Sequence, residues 1–383
     1  MSNLYAPFRY DYVGSFLRPA ELKKARADYE AGAITADQLK AVEDQCITEL
    51  VAKQKAAGYH VITDGEFRRA TWHLDFMWGF DGVGHKKTNT GLPFHGEAAM
   101  IDDTFVTGRI GLSGEHPFVD HFRYVKALED EKTIAKQTIP APAQTLAQFW
   151  MPFARKHTEA FYSSAKPLMD DIAQAYIAVL HQLYDAGCRN VQFDDCTWGM
   201  LADKNGQEMH AATKEGLLAV QNAYKDINNQ VINGAPEGMN ITTHVCRGNY
   251  HSTYASSGPY DSVADVLFGE ENVSAYYLEF DDERSGGFAP LAKVSGVKKV
   301  VLAKIGSGQK VVLGLITTKQ PQLENKEAVI ARIHEAAKYI PLDRLYLSPQ
   351  CGFASCEIGN KLTEEEQWAK LALVKEIAEE VWG

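Results

Sequence analysis

Short apolar segments alternate along the chain with longer amphipathic segments. Eight runs rich in β-branched and aromatic residues predict strands, at residues 10–16, 60–64, 138–142, 190–193, 240–244, 275–280, 310–316 and 345–347. Apolar residues that recur with a helical period predict helices at residues 35–57, 167–187, 211–227, 325–339 and 363–382. Capping-box pairs mark two of the helix starts, Thr35 with Gln38 and Thr363 with Glu366.

The count and order of these elements favour one fold. Parallel strands need crossover connections, and eight strands joined in this way predict a (β/α)8 TIM barrel in the α/β class. A doubly wound open sheet is the alternative. No linker or repeat divides the chain, so we expect a single catalytic domain over residues 1–383. One connection, residues 68–136 between strands 2 and 3, is long enough to predict an insertion that acts as a lid.

Composition excludes several classes of function. The net charge is −11 without a basic stripe, so we expect no binding to nucleic acid. No apolar run reaches the roughly 18 residues of a membrane span and no signal peptide is evident, so a cytoplasmic protein is predicted. Six cysteines in 383 residues do not form a disulfide scaffold, which favours free thiols or metal ligands. The sequence does not predict the oligomeric state.

Metal-ligand residue types stand at the carboxyl ends of three predicted strands. His244 and Cys246 are two positions apart on an extended segment, so their side chains point to the same side. Glu279 and Cys351 follow strands six and eight. Active sites of TIM barrels lie at this end of the strands. The set of one nitrogen, two sulfurs and one oxygen predicts a zinc site.

The charge of this ligand set limits its chemistry. Zinc with two thiolates and a carboxylate is a weak Lewis acid, but coordination would keep a substrate thiol ionised and nucleophilic. The pattern therefore predicts attack of a thiolate on an alkyl donor. Catalytic zinc normally has three protein ligands and an open position. Four candidates imply that Glu279 yields to the substrate or that the coordination number rises.

Five segments, spread over residues 13–352, resemble motifs of one family. Residues 243–246 (Thr-His-Val-Cys) match its His-x-Cys zinc motif, and residues 348–352 (Ser-Pro-Gln-Cys-Gly) match its last ligand segment, Asn-Pro-Asp-Cys-Gly. Residues 13–19, 64–69 and 192–195 resemble its Gly-Ser-Phe, Gly-Glu and Gln-Ile-Asp-Glu segments. The chain thus resembles the C-terminal catalytic barrel of cobalamin-independent methionine synthase.

This resemblance implies an activity and a set of roles. The family uses zinc to transfer a methyl group from a methylated folate to homocysteine, giving methionine. By position, His244, Cys246, Glu279 and Cys351 are the implied zinc ligands. Glu66 and Asp194 are implied to hold the homocysteine amino group and Ser15 its carboxylate. Phe149 or Trp150 is the nearest candidate for the aromatic platform of the pterin.

Two departures from the family pattern concern the methyl donor. The full-length family enzyme has an N-terminal barrel that grips the folate tail, and no segment here matches it. A strand-seven histidine, the implied acid for the leaving pterin, is replaced by Thr317. One alternative therefore keeps zinc and the thiol but uses an epoxide, a methylated sulfur compound or a methyl-corrinoid protein. Another class of function, an inactive barrel that binds a thiol or zinc, also fits.

Some of these residues also have structural interpretations. Glu279 lies close to an acidic loop at residues 281–283, and Cys356 competes with Cys351 for the ligand role. Asp194 and Asp195 also fit the acidic start of a helix. Histidines 73, 85 and 95 of the insertion are expected at the surface, with a replacement acid as the alternative.

Overall fold

The computed structural model describes residues 4–88, 91–150, 152–294 and 308–383. No helix in these ranges is long and apolar enough to cross a membrane. The strands are β1 (Val61–Ile62), β2 (Asp81–Lys86), β3 (Leu92–Phe94), β4 (Glu97–Ala99), β5 (Asp103–Gly111), β6 (Ile134–Pro140), β7 (Asn190–Asp195), β8 (Asn240–Val245), β9 (Ala275–Glu279), β10 (Lys310–Ile316) and β11 (Leu345–Pro349).

The α-helices surround the parallel strands. They are α1 (Ala20–Glu30), α2 (Ala36–Ala56), α3 (Leu74–Met77), α4 (Pro117–Lys126), α5 (Pro142–Trp150), α6 (Pro152–Glu159), α7 (Ala165–Asp185), α8 (Thr197–Ala202), α9 (Lys204–His210), α10 (Lys214–Gly234), α11 (Ala264–Glu270), α12 (Lys326–Ala336) and α13 (Glu364–Trp382). Both predicted capping boxes are present, at the starts of α2 and α13.

Seven parallel strands form one curled sheet in the order β1-β6-β7-β8-β9-β10-β11. The first predicted strand, residues 10–16, lies between the two ends of this sheet. Tyr10 forms a parallel bridge with Leu347 of β11, and the backbone N–H of Phe16 donates to the carbonyl of Gly65 beyond β1. The chain therefore closes the barrel, and the predicted (β/α)8 fold is confirmed.

Several strand predictions differ from the structure in their bounds, for example 60–64, where β1 has only Val61–Ile62. Residues 10–16 form a single bridge rather than a full strand: their backbone bonds to Leu347, Gly65 and Phe353 are scattered, and the hydroxyl of Thr63 donates to the carbonyl of Gly14. The third predicted strand, 138–142, ends too late. Pro142 begins α5, where a proline loses no helical hydrogen bond, and the strand instead starts earlier, at Ile134.

Residues 68–136 contain regular structure in addition to loops. Strands β2 and β5 form an antiparallel pair, β3 and β4 form a second one, and α4 returns the chain to β6. The β3–β4 pair contacts the segment after β8: the N–H of His95 donates to the Tyr254 carbonyl over 2.8 Å. Its Glu97 carboxylate lies 2.9 Å from Nδ1 of His251. The insertion thus reaches the carboxyl ends of the strands.

The inside of the barrel is layered. Tyr277, Val312 and Tyr346 are register partners on β9, β10 and β11 and form a small buried cluster of their own. Side chains alternate along a strand, so the next layer in the same direction contains Glu279 and Ser348. This layer of two tyrosines and a valine lies below, and the polar residues that follow it line the carboxyl end of the barrel.

Candidate metal centre and amino-group pocket

Three metal-ligand side chains converge at the carboxyl end of the barrel. His244 lies near the end of β8, Cys246 directly after it, and Cys351 two residues after β11. Three strand spacings separate β8 from β11, about 14 Å in a flat sheet. The curl of the barrel brings one donor atom of each residue within 4.8 Å of the others, and all three residues are buried.

The imidazole of His244 has the properties of a free ligand. Neither of its buried ring nitrogens makes a regular hydrogen bond to any described residue. Burying a polar group without a partner costs about 1–3 kcal/mol, so native proteins seldom retain one without a reason. A metal ion would take one nitrogen, and the two neighbouring thiols supply sulfur donors. This donor set fits zinc.

The thiols of the group are protonated in the absence of a metal. The contact with Cys196 and burial raise the pKa of Cys246 well above its usual range. The contact with Cys246 and burial do the same for the pKa of Cys351. A metal bound here must displace both protons. One contact favours the thiolate form, since the backbone N–H of Gly248 points to the sulfur of Cys246 at 3.4 Å.

Glu279 lies beside the three-residue group but is not a member of it. Its carboxylate accepts hydrogen bonds from the backbone N–H of Arg247 at 3.0 Å and from the amide of Gln350 at 3.3 Å. These residues directly follow Cys246 and directly precede Cys351. The carboxylate therefore connects the two cysteine segments, and its role as a metal ligand stays a prediction.

Two buried carboxylates lie next to the metal-ligand group. Asp194 on β7 is the register partner of His244 on β8, so the two side chains extend from the same side of the sheet. Burial and the charge of Glu66 raise the pKa of Asp194 well above its usual range. Burial also raises the pKa of Glu66, despite the opposing charges of Arg69 and Arg18. Both shifts therefore favour the protonated form of the pair, and a bound cation would favour the ionised form.

Other strand residues hold the carboxylates in place. The Thr138 hydroxyl donates to Oε1 of Glu66 over 2.9 Å, and Arg69 lies 3.3 Å from the same oxygen. The Gln192 amide donates to Asp194 over 2.8 Å. The second oxygen of Glu66 is buried and has no hydrogen-bond partner among the described residues. One carboxylate oxygen therefore remains free for a ligand.

Ser15 lies against the Cys351 segment. Its hydroxyl accepts a hydrogen bond from the N–H of Ala354 at 3.3 Å. A Cβ at Gly352 would be 1.9 Å from the Ser15 oxygen, so only glycine fits at this position. Thr318, after β10, donates to Gln350 over 2.9 Å and so fixes the same segment from the other side.

The structure gives less support to the predicted donor site. Phe149 is completely buried in the main core, so it presents no exposed ring face. The side chain of Trp150 lies outside the described part of the chain. Thr317 is half-buried, and its backbone N–H donates to the carboxylate of Glu324 over 2.8 Å. None of these contacts identifies a platform or an acid.

Two of the three insertion histidines are exposed, as expected. His73, however, is buried, and burial lowers its pKa to about 3, so it is neutral at physiological pH.

Asp195 has the structural role that its position allows. It accepts bonds from the N–H of Thr197 at the start of α8 and from the amide of Asn228. This leaves Asp194 as the acid that faces the site.

Sequence reasoning missed three residues around the site. Lys136 and Thr138 extend from the same side of β6, and the available signal was the run of three polar residues, 136–138, inside a buried strand. Lys136 is buried and donates to the side-chain oxygen of Gln192 over 3.0 Å. It thereby fixes the Gln192 amide that donates to Asp194. Cys196 was assigned no role, yet its sulfur lies 2.8 Å from that of Cys246.

Together the fold and the site define a (β/α)8 barrel with a thiol-rich candidate metal centre beside a buried carboxylate pair. The profile of the family described as "Cobalamin-independent synthase, Catalytic domain" matches residues 292–380. The chain is 42% identical to the uncharacterized protein YxjH of Bacillus subtilis, an alignment that covers 98% of this chain and 95% of YxjH. It is 23% identical to methionine synthase of Saccharolobus solfataricus, over 89% of this chain and 86% of that protein.

A solved structure is also similar to this chain. A protein of Listeria monocytogenes, provisionally assigned as a vitamin-B12 independent methionine synthase, is 36% identical, has a TM-score of 0.75 and matches over 99% of both chains. The chain therefore belongs to the cobalamin-independent methionine synthase family, in its short form. This is a family of methyltransferases that act on small molecules.

Proposed function

We propose that this protein uses zinc to transfer a methyl group from a methylated folate to the thiol of homocysteine, giving methionine. The observation that carries the proposal is the buried group of His244, Cys246 and Cys351, placed one strand away from the Glu66–Asp194 pair. Homocysteine has a thiol and an amino group separated by a short chain. The two neighbouring parts of the site suit these two groups.

His244, Cys246 and Cys351 would hold the zinc, with Glu279 as the fourth ligand or as the group that yields to the substrate. When bound, zinc supplies a site at which the homocysteine sulfur is kept as a nucleophilic thiolate. Because the protein ligands are electron-rich thiolates, this sulfur retains its reactivity toward a methyl group. The surrounding burial keeps water away from the sulfur and strengthens each electrostatic contact.

The chain's own residues would bind and orient the amino acid part. Glu66 and Asp194 accept the ammonium group, which replaces the proton that the pair otherwise holds. The Ser15 hydroxyl lies beside the Cys351 segment and would bind the carboxylate. The β3–β4 pair, which contacts the segment after Cys246, would act as the lid of the site.

The first test is metal content with and without homocysteine. Purified, reduced protein is dialysed against a chelator, and zinc is then measured by mass spectrometry. We expect about one zinc per chain, better retained when homocysteine is present, because sulfur contacts the metal directly. Absence of zinc from freshly reduced protein, or turnover by metal-stripped protein, would refute the proposal. Cys46→Ala, a substitution in α2, is the control that should retain the metal.

A second function differs in the donor and rests on Thr317. A threonine hydroxyl does not act as an acid at neutral pH, and the residue lies where the resemblance places the acid for the leaving pterin. Transfer from a methyl-corrinoid protein or a methylsulfonium compound releases a group that needs no proton, and the alkoxide formed from an epoxide could take its proton from solvent. Product formation from each donor with homocysteine and with other thiols distinguishes the two. Turnover with methylated folate, and with none of the other donors, would reject the second function.

A further inference from the structure

A fourth thiol, that of Cys196, contacts the candidate metal centre. Asp195, the last residue of β7, is the register partner of Val245 on β8, so Cys196 and Cys246 follow as neighbours on adjacent parallel strands. Their sulfur atoms are 2.8 Å apart. Cys196 is half-buried and Cys246 is buried. The proposed function assigns no role to this contact.

The backbone places these two cysteines at a separation suited to a disulfide. Adjacent strands are about 4.8 Å apart, within the range of about 4.4–6.8 Å that a disulfide requires between Cα atoms. The sulfurs would have to approach by about 0.8 Å to reach a bond length of about 2.0 Å. Helix α8 fixes Cys196 in this position, because Gly199 packs so closely that a Cβ there would be 2.1 Å from the Cys246 carbonyl oxygen.

We propose that Cys196 and Cys246 form a reversible disulfide when a peroxide oxidises the metal-free site. Cys246 loses its proton to solvent as its sulfur attacks one oxygen of hydrogen peroxide, giving a sulfenic acid and a hydroxide that takes up that proton as water. The Cys196 sulfur then attacks the Cys246 sulfur and displaces its hydroxyl group. That group leaves as water with the Cys196 proton. Two thiols are oxidised and one peroxide is reduced to water, so atoms and electrons balance.

The proposal assigns Cys196 as the resolving thiol in preference to Cys351. Both lie near Cys246, but the Cys196 sulfur is 2.8 Å away and its residue is the direct neighbour across the β7–β8 pair. Cys351 comes from the far strand β11 and shares the ligand group within 4.8 Å. The disulfide and a metal ion exclude each other, because the disulfide uses one of the two ligand sulfurs. Reduction of the bond restores the ligand.

The test begins with chelator-treated, reduced protein, so that its first arm does not depend on the proposed function. The protein receives a small molar excess of hydrogen peroxide, remaining thiols are alkylated, and unreduced tryptic peptides are analysed by mass spectrometry. Trypsin separates Cys196 (residues 190–204), Cys246 (226–247) and Cys351 (345–361) into three peptides. We expect peptides 190–204 and 226–247 joined and two hydrogens lighter than their sum. Dithiothreitol should separate them.

Two variants identify the resolving thiol. In Cys196→Ala the linked peptides should be absent, and Cys246 should proceed to sulfinic acid that dithiothreitol does not reverse. Cys46→Ala, a buried cysteine of α2, should behave as the unaltered chain. A 226–247 peptide joined to 345–361, or a Cys246 sulfinic acid in the unaltered chain with Cys196 still reduced, would overturn the proposal.

A second arm uses zinc-loaded protein and a chromogenic chelator. Peroxide should release zinc from the unaltered chain, and dithiothreitol with added zinc should restore the metal content. In Cys196→Ala the release should be irreversible. If the protein binds no zinc at all, the proposed function fails, yet the peptide result of the first arm still decides the disulfide.

Discussion

The carboxylate pair and the metal-ligand group differ in how many hydrogen bonds they receive from the rest of the chain. On the carboxylate side, Glu66 and Asp194 receive hydrogen bonds from Thr138 and Gln192 and one oxygen remains free. On the sulfur side, His244 makes no regular hydrogen bond to a described residue and the thiols contact mainly each other. The chain organises the first half itself, whereas the second half is completed only by the metal that the proposed function places there. Substitutions on the sulfur side should therefore cause large losses of metal and activity. Substitutions on the carboxylate side should cause smaller changes in KM.

The largest effect is expected for Cys351→Ser, since it removes one of three convergent donors. Metal content should fall well below one per chain and methyl transfer by about a thousandfold, equivalent to about 4 kcal/mol. Zinc analysis and single-turnover assays measure both. Cys188→Ala, a buried cysteine whose thiol contacts the carbonyl of Asn190, is the matched control and should retain metal and activity. Full activity in Cys351→Ser would remove the distinction between the two halves.

Glu279→Gln sharpens the comparison, because Glu279 is either a metal ligand or a residue that holds the two ligand segments in place. Its carboxylate holds the Arg247 N–H and the Gln350 amide. If Glu279 only holds the ligand segments, the substitution should lower metal affinity about 10–100-fold and leave the spectrum of the cobalt-substituted protein unchanged. As a ligand it should shift the cobalt bands and weaken the metal as much as Cys351→Ser does. Competition with a chelator and the cobalt spectrum give the two readings.

Asp194→Asn tests the carboxylate side directly. The substitution removes a charged partner of the ammonium group, worth about 1.5–3 kcal/mol, so KM for homocysteine should rise by about tenfold or more. Metal content should not change. Asp195→Asn is the neighbouring control: Asp195 supports the start of α8, so we expect lower stability with little change in KM. Loss of zinc in Asp194→Asn would show that the two halves are not separate.

The strand pattern and the His-x-Cys spacing predicted the barrel and three of the proposed ligands. They did so because alternation along a strand and the common exit of parallel strands follow from local geometry. The contact of Cys196 with Cys246 was not predictable in the same way. It depends on the register of β7 against β8 and on the close approach of Gly199, and both are set by packing across the barrel.

The proton of the Glu66–Asp194 pair sets a smaller, pH-dependent effect. Both carboxyl pKa values are raised, so the pair becomes fully ionised well above the ordinary carboxyl value of about 4. Affinity for an ammonium ligand should rise with pH by up to about tenfold per unit and then level off. Stability of the free protein should change in the opposite sense, since the folded state holds this proton more tightly. Calorimetry with methionine, which has no ionisable thiol, checks the rise, and Asp194→Asn should flatten it.

The smallest effect is expected for Thr138→Val, which keeps the shape of the side chain and removes one hydrogen bond to Glu66. That bond is worth about 1 kcal/mol, so KM for homocysteine should rise about fivefold with metal content unchanged. Thr243→Val on β8 is the matched control, because its hydroxyl donates to the backbone carbonyl of Phe193 and to no carboxylate. Both variants should lose stability, Thr138→Val more because its hydroxyl also accepts a hydrogen bond from Arg69 at 3.0 Å, yet only Thr138→Val should change KM. An equal change in KM would mean that the carboxylate side, like the sulfur side, is not organised by specific contacts of the chain.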